Sequence, residues 1–309
     1  MNFVSRITQK TKLIGLLGYP LTHSFSPIIQ NTAFKITGLD YVYIAMPVRP
    51  RELWNAVQGV KALHIAGGNV TIPHKENILP YMDYLTDEAE LVGAVNTFFW
   101  AENKYLIGDN TDVIGFIESL RSFKINVLGK TVAIVGSGGA ARAAAVALAQ
   151  LCAQEVILVA RSVDPAMKLI NDMKNIFPET IWVHHTGQTA MFASDLGRVF
   201  LLINATPVGM YPNVDSSPLD KGMFRLLPPN AHVYDMVYNP VETQFLKQAS
   251  SLGLQTHNGL ELLLYQGAAS FERWTGKQAP IDKMRQVLIE QINNFNKEKP
   301  ELIDIYDKQ

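Results

Sequence analysis

Apolar and polar positions come in short blocks along this chain, and the texture of the blocks changes near Val113. Leu13 to Leu17 is a compact apolar run closed by Gly18-Tyr19-Pro20, which predicts a buried strand and a turn. Pro27 to Thr37 predicts a helix, with proline in its first turn and Gly38 as its stop. Tyr41 to Met46 is rich in β-formers, Arg51 to Val60 has helical spacing, and Leu63 to Val70 reads as a strand. Asp87 with Glu90 three residues on marks a helix start before Leu91 and Val92. Val95 to Trp100 and Tyr105 to Ile107 flank Ala101-Glu102-Asn103-Lys104, the pattern of a hairpin.

Beyond Val113 the strands become continuously apolar, the mark of burial on both faces. Thr131 to Val135, Val156 to Ala160, Phe200 to Ile203 and His232 to Met236 are of this kind, and a small-residue helix, Ala140 to Leu151, follows the first of them. Strands alternating with helices imply a parallel, doubly wound sheet. Leu260 to Trp274 and Ile281 to Asn294 predict two amphipathic helices, and the charged tail from Lys297 reads as a fraying end. The expected class is therefore α/β in two domains. Residues 1–112 with the returning 259–309 form an N-terminal α/β domain, and 113–258 form a Rossmann-like doubly wound nucleotide-binding domain. A site is expected in the cleft between them, near the carboxyl ends of the second set of strands, closing on its ligands.

Composition narrows the function. The 309 residues carry a formal net charge of −1, so nucleic acid is not indicated as a partner. No apolar run reaches the roughly 20 residues that span a bilayer; the longest, Ala143 to Ala153, is interrupted by Gln150. Arg6, Lys10 and Lys12 precede an apolar stretch too short for a signal peptide. The single cysteine, Cys152, permits no intrachain disulfide, and its place late in a helix reads as core. A cytoplasmic protein is expected. His184 and His185 are adjacent and point apart, and no HExxH or CxxC spacing occurs, so no metal is expected.

Val132 to Ala141 runs from strand to helix through G-x-G-x-x-A, with Gly136 for the tight turn and Gly138 for the approach of a pyrophosphate to the helix N-terminus. The next strand ends Val159-Ala160-Arg161-Ser162, without the acid that would hold a ribose 2′-hydroxyl. Arg161 stands where a 2′-phosphate would lie, and guanidinium matches that group. NADP is the expected cofactor, with NAD as a weaker alternative.

Further segments carry a resemblance. They are Gly18-Tyr19-Pro20-Leu21-Thr22-His23-Ser24-Phe25-Ser26-Pro27, Asn69-Val70-Thr71-Ile72-Pro73-His74-Lys75, Gly93-Ala94-Val95-Asn96-Thr97 and Gly108-Asp109-Asn110-Thr111-Asp112, then Asn204 to Met210, Tyr234 to Pro240 and the surroundings of Gln266. In this order, over nearly the whole chain, they resemble the shikimate dehydrogenase family. The resemblance implies NADP-dependent, reversible reduction of 3-dehydroshikimate to shikimate, a step toward chorismate and the aromatic amino acids. It implies Lys75 and Asp112 as the catalytic pair, the ammonium supplying a proton to the alkoxide that hydride transfer creates and the carboxylate orienting it. Ser24 and Ser26 match the residues that bind the substrate carboxylate, and an extended turn would point both hydroxyls one way. Asn69, Thr71, Asn96 and Gln266 match positions bonded to ring hydroxyls, and Tyr238 matches another substrate contact. On the cofactor side the match covers Gly136, Ser137, Gly138, Gly139, Ala140, Arg161, Ser162, Thr206, Val237 and Gly259. His23 and His74 fall in substrate-side motifs, with structural hydrogen bonding as the expected role.

Departures from the family pattern temper this. Ala160 replaces a frequent Asn and Pro165 a second basic residue, which leaves Arg161 alone of the usual phosphate clamp. Gln30 replaces a frequent His and Leu262 a frequent Met, both read as packing changes. A quinate/shikimate dehydrogenase using NAD or NADP is the alternative within the family, and Ser26 in place of a Thr favours shikimate. A non-catalytic NADP-binding sensor is the alternative outside it, and it leaves Lys75 and Asp112 without a purpose. The expected partner is a small-molecule substrate, for a monomer or homodimer.

Overall fold

Two stretches of sequence build two separate sheets. The structure, a computed structural model, describes residues 7–21 and 24–297; Arg6, His23 and the tail after Lys297 lie outside the described residues. The first sheet contains β1 (Lys12–Gly18), β2 (Tyr41–Pro47), β3 (Gly67–Val70), β4 (Tyr84–Leu85), β5 (Thr97–Ala101) and β6 (Tyr105–Asp109). Its order is β2-β1-β3-β5-β6-β4. The first three strands are parallel, and β5 runs antiparallel to both β3 and β6. Helices α1 (Ser26–Ile36), α2 (Leu53–Ala62), α3 (Asp87–Val92) and α4 (Thr111–Ser122) join and follow these strands.

The second sheet is parallel throughout. It contains β7 (Thr131–Val135), β8 (Glu155–Ala160), β9 (Ile181–Thr186), β10 (Val199–Asn204), β11 (His232–Asp235) and β12 (Gln255–His257). The order β12-β11-β10-β7-β8-β9 is that of a doubly wound dinucleotide fold. Helices α5 (Gly139–Gln150), α6 (Val163–Ile176), α7 (Ala190–Asp195), α8 (Lys221–Phe224) and α9 (Gln244–Ser250) accompany these strands, and α10 (Leu260–Thr275) and α11 (Ile281–Lys297) close the chain. The continuous apolar runs have the expected cause: Val132, Ile134, Val156 and Leu158 are fully buried against α5 and α6, and each such side chain contributes about 1.5–3 kcal/mol by leaving water.

Two helices tie the sheets together. The body of α4 (Val113, Phe116, Leu120) is buried in the core of the second sheet, and α10 (Leu264, Phe271, Trp274) and α11 are buried against the first. Where α4 and α10 cross, a Cβ on Gly115 would stand 2.7 Å from the Cβ of Gln266, so only glycine allows this approach.

Several local expectations are corrected. β3 begins at Gly67 rather than Leu63, because Leu63 caps α2, is exposed, and leads into His64 at φ 51°. The cap of α3 is Thr86, whose hydroxyl accepts from the Ala89 N–H, not Asp87. Cys152 is not in the core: it lies past the end of α5, exposed, at φ 57°. Strands β4, β9 and β12 and helices α6 to α9 went unpredicted. The Ala101–Lys104 hairpin is present, with Glu102 and Asn103 both at φ 53°, the turn geometry that matches strand twist.

Candidate active site

The topology brings the motifs to one edge of each sheet. Because β1 and β3 are parallel, their carboxyl ends deliver Tyr19–Leu21 and the Thr71–Lys75 turn side by side, and the Tyr19 N–H donates to the Ile72 carbonyl. Because β5 and β6 form an antiparallel hairpin, the start of one and the end of the other bring Asn96 and Asp109–Asp112 to that same edge. In the second sheet, Gly136, Arg161, Thr206 and Val237 follow the carboxyl ends of β7, β8, β10 and β11. The crevice between β7 and β10, where the winding reverses, is the topological place for a ligand.

At the first edge Lys75 Nζ donates to Asp112 Oδ2 at 2.7 Å, with the two side chains 27% and 18% exposed. Asp112 Oδ1 accepts from Asn96 Nδ2 at 2.8 Å. The other end of the Asn96 amide accepts from the Thr111 N–H at 2.8 Å and its hydroxyl at 3.1 Å. Asp112 sits in the first turn of α4, where a carboxylate is favoured by the helix dipole, and Asn110 caps that helix by accepting from the Asp112 N–H. Lys75 is held from behind by its carbonyl, which accepts from the Val95 N–H. An ammonium fixed in this way can hand a proton to an oxyanion placed beside it and recover one afterwards.

The other candidates are placed less uniformly. Asn69 is buried: its amide nitrogen lies 2.8 Å from Thr97 Oγ1 and 3.0 Å from Ser270 Oγ, and its oxygen accepts from the Tyr43 hydroxyl at 2.9 Å. Burial raises the Tyr43 phenol well above its ordinary range, against the lowering effect of a bond from Ser26, so it stays protonated and serves Asn69 as a donor. Thr71 is half-buried beside Gly18. Ser24 and Ser26 do not lie in an extended turn: Phe25 is helical in φ and ψ, Ser26 opens α1, and its N–H donates to Ser24 Oγ at 3.3 Å. Tyr238 comes from the second sheet and packs its ring against Phe25, 5.9 Å between centroids, with its phenol also raised by burial. Gln266 turns its amide to the Leu263 carbonyl within α10. His74 Nε2 donates to the Val48 carbonyl, 2.6 Å away, a structural contact.

On the nucleotide side, Gly136 has φ 121°, which a side chain would strain, and a Cβ there would also meet Thr206 Cγ2 at 3.0 Å. A Cβ on Gly138 or Gly139 would meet nothing within 4 Å, so the approach to the start of α5 is open for a ligand, and Gly138 caps α5 without a side-chain bond that would compete for its N–H groups. Ser137 and Ala140 flank this opening in sequence, Ser162 is the N-cap of α6, and Arg161 is exposed at the end of β8 with no ion pair among the described residues. These residues fit a dinucleotide. Thr206 is locked by bonds from its N–H and hydroxyl to Asn204 Oδ1. Val237 donates its N–H to Asp235 and Gly259 donates to the Val237 carbonyl. Asp235 is fully buried, and desolvation lifts its carboxyl to about 6 despite bonds from Thr243, Val237 and Asn204.

Sequence reasoning missed the supporting residues. Asp109 is buried and bonds Thr86, the Asn110 N–H and Arg273 of α10. Thr97 and Thr111 lay inside quoted motifs without a role, whereas Tyr43 and Ser270 stand in runs that carry no local signal. Among the described residues no group of three or more His, Cys, Asp or Glu could hold a metal, and no helix is long and apolar enough to cross a membrane.

A doubly wound nucleotide sheet in one chain with a lysine–carboxylate pair defines a nicotinamide-dependent oxidoreductase. Comparison with known proteins makes the class specific. Residues 16–98 match the shikimate dehydrogenase substrate binding domain, and residues 259–289 match the shikimate 5′-dehydrogenase C-terminal domain. Shikimate dehydrogenase (NADP(+)) of Synechocystis sp. is 41% identical over 92% of this chain and 97% of its own length. The enzyme of the same name from Methanocaldococcus jannaschii is 43% identical over 93% and 99%. A crystal structure of shikimate 5-dehydrogenase from Listeria monocytogenes in complex with shikimate and NAD superposes with a TM-score of 0.84 at 37% identity, covering 92% of this chain and 98% of that one. The ligand-free 5-ketofructose reductase of a Gluconobacter strain superposes at 0.79 with 32% identity, covering 92% of this chain and all of the other. The chain belongs to the shikimate dehydrogenase family.

Proposed function

We propose that this chain is an NADP-dependent shikimate dehydrogenase, catalysing the reversible reduction of 3-dehydroshikimate to shikimate. The observation that carries the proposal is the Lys75–Asp112 contact of 2.7 Å, buttressed by Asn96, in a chain whose second sheet carries an open glycine turn. When bound, the nicotinamide supplies or takes the hydride. Lys75 protonates the alkoxide left on the substrate, and the neutral amine accepts that proton in the reverse direction. Asp112 keeps the ammonium aimed, and Asn96 keeps Asp112 from rotating. Ser24 and Ser26 hold the substrate carboxylate as neutral donors, and Thr71, Tyr238 and Gln266 contact the ring, each of the last two after a small side-chain rotation. Arg161 engages the 2′-phosphate. The functional division is 1–112 with 259–309 against 113–258, and the protein works in the cytoplasm as a monomer or homodimer.

The test is a steady-state assay with shikimate, quinate and 5-ketofructose against NADP and NAD. Shikimate with NADP should have the highest kcat/KM; a higher value for quinate or for 5-ketofructose overturns the substrate assignment. Lys75→Ala should lose roughly 100- to 10,000-fold in kcat while shikimate still binds. Turnover within about three-fold of wild type removes Lys75 from proton transfer, because the smallest effect expected of a general acid is far larger.

A further inference from the structure

Four polar groups from four different elements meet at the Ser270 hydroxyl. Ser270 lies in α10, one turn after Gln266, and is fully buried. Its Oγ is 2.6 Å from Thr97 Oγ1 on β5, 3.0 Å from Thr111 Oγ1 on α4, 3.0 Å from Asn69 Nδ2 on β3, and 2.9 Å from the Gln266 carbonyl of its own helix. The protons in this cluster can be assigned from groups that only donate or only accept. Asn96 presents its nitrogen to the Asp112 carboxylate, so its oxygen faces Thr111 and takes both the N–H and the hydroxyl proton of that residue. The Thr111 hydroxyl therefore has no proton left for Ser270. The single Ser270 proton has two acceptors in reach, the Gln266 carbonyl at 2.9 Å and Thr111 Oγ1 at 3.0 Å; the carbonyl already takes a backbone N–H inside α10, whereas Thr111 Oγ1, its own proton given to Asn96, has Ser270 as its donor. The Ser270 oxygen is then the acceptor for Thr97 and Asn69.

We propose that Ser270 is a positioning residue for proton transfer: its hydroxyl locks Thr97 and Asn69 against Thr111, Thr111 holds the Asn96 amide, and Asn96 aims Asp112 at Lys75. The proposal rests on the reading of Lys75 and Asp112 given above. Without Ser270 the Thr111 oxygen loses its donor at 3.0 Å, and the Thr97 hydroxyl, 3.3 Å away, is the group left to turn to it, which draws Thr111 off its position against Asn96. The Asn96–Asp112 bond then loosens, and small misplacements of an aligned group are costly to rate.

The experiment is a double-mutant cycle. Ser270→Ala and the near-isosteric Ser270→Cys, whose sulfur accepts poorly, are each made alone and with Lys75→Ala, folding is checked by circular dichroism, and shikimate oxidation by NADP is followed. Each single Ser270 variant should lose about ten-fold in kcat, with KM for NADP within about two-fold of wild type. In the Lys75→Ala background the same substitution should lower kcat by less than about two-fold, because the path it acts through is already gone. If Ser270→Ala does not fold, the cysteine variant alone decides. A wild-type kcat in the folded variant overturns the proposal, and so does an equal loss in both backgrounds, which marks general structural damage. If Lys75→Ala itself keeps turnover, the proton-transfer reading has failed instead.

Discussion

Asp235 is the carboxylate whose burial should be visible as a pH dependence of stability. It is fully buried at the end of β11, and desolvation lifts its carboxyl from the ordinary 3.8 to about 6. A shift of roughly two units at about 1.4 kcal/mol each amounts to about 3 kcal/mol. The sign follows from proton binding. At low pH the carboxyl is protonated in the folded and the unfolded chain alike, and it carries no penalty. As pH rises through the interval from 3.8 to about 6 the unfolded chain ionises first, so the folded state progressively loses this contribution. Above that interval the full penalty is present.

Asp235→Asn removes the titration and keeps the shape. The asparagine oxygen still accepts from Asn204 and Val237, while its nitrogen faces Thr243 Oγ1, which must redirect its proton. That rearrangement costs about 1 kcal/mol at every pH and so leaves the pH dependence untouched. Urea unfolding of both proteins should show the variant gaining about 2.5 kcal/mol relative to wild type between about pH 4 and pH 7.5. A gap that stays constant within about 0.5 kcal/mol over that range would show that the site solvates the charge and would refute the reasoning.

The cofactor side yields two further expectations. Gly136→Ala forces a side chain into φ 121° and against Thr206, which should destabilise by about 1–3 kcal/mol and raise KM for NADP and NAD alike; a thermal melt and KM values indistinguishable from wild type would count against the turn geometry. Arg161→Ala should raise KM for NADP roughly 10- to 100-fold and leave KM for NAD nearly unchanged, since one charge-assisted contact is lost; equal damage to both cofactors would mean that Arg161 supports the loop instead.

How much could be read before the structure depended on whether the cause was local. The buried strands of the second sheet announce themselves through apolar runs, and the hairpin through its Glu102-Asn103 turn. β9 is half-exposed at a sheet edge and β12 is three residues long, so neither carries a strong period. Leu63 looked like strand because it is apolar, but it terminates α2 and points into solvent. Lys75 and Asp112 were legible because motifs surround them. Their alignment was not, because it depends on Ser270, Tyr43 and Arg273, which reach the site only through tertiary packing.

The same packing explains why the site is built mainly from neutral groups. A further buried charge near Asp112 would carry a desolvation penalty of several kcal/mol and would compete for Lys75. Hydroxyls and amides exact about 1–3 kcal/mol only when left unpaired, and here Thr97, Thr111, Asn96, Asn69 and Ser270 satisfy one another. The one ion pair that braces them, Arg273 with Asp109, keeps its arginine at the rim, 49% exposed, while the carboxylate is anchored inside by Thr86 and the Asn110 N–H. Rigidity thus comes from the neutral cluster and from one ion pair anchored at the rim, apart from the pair proposed to exchange a proton. That pair stays partly open to water, at 27% and 18% exposure, so Lys75 can be reprotonated from solvent after each turnover without disturbing the scaffold that aims it.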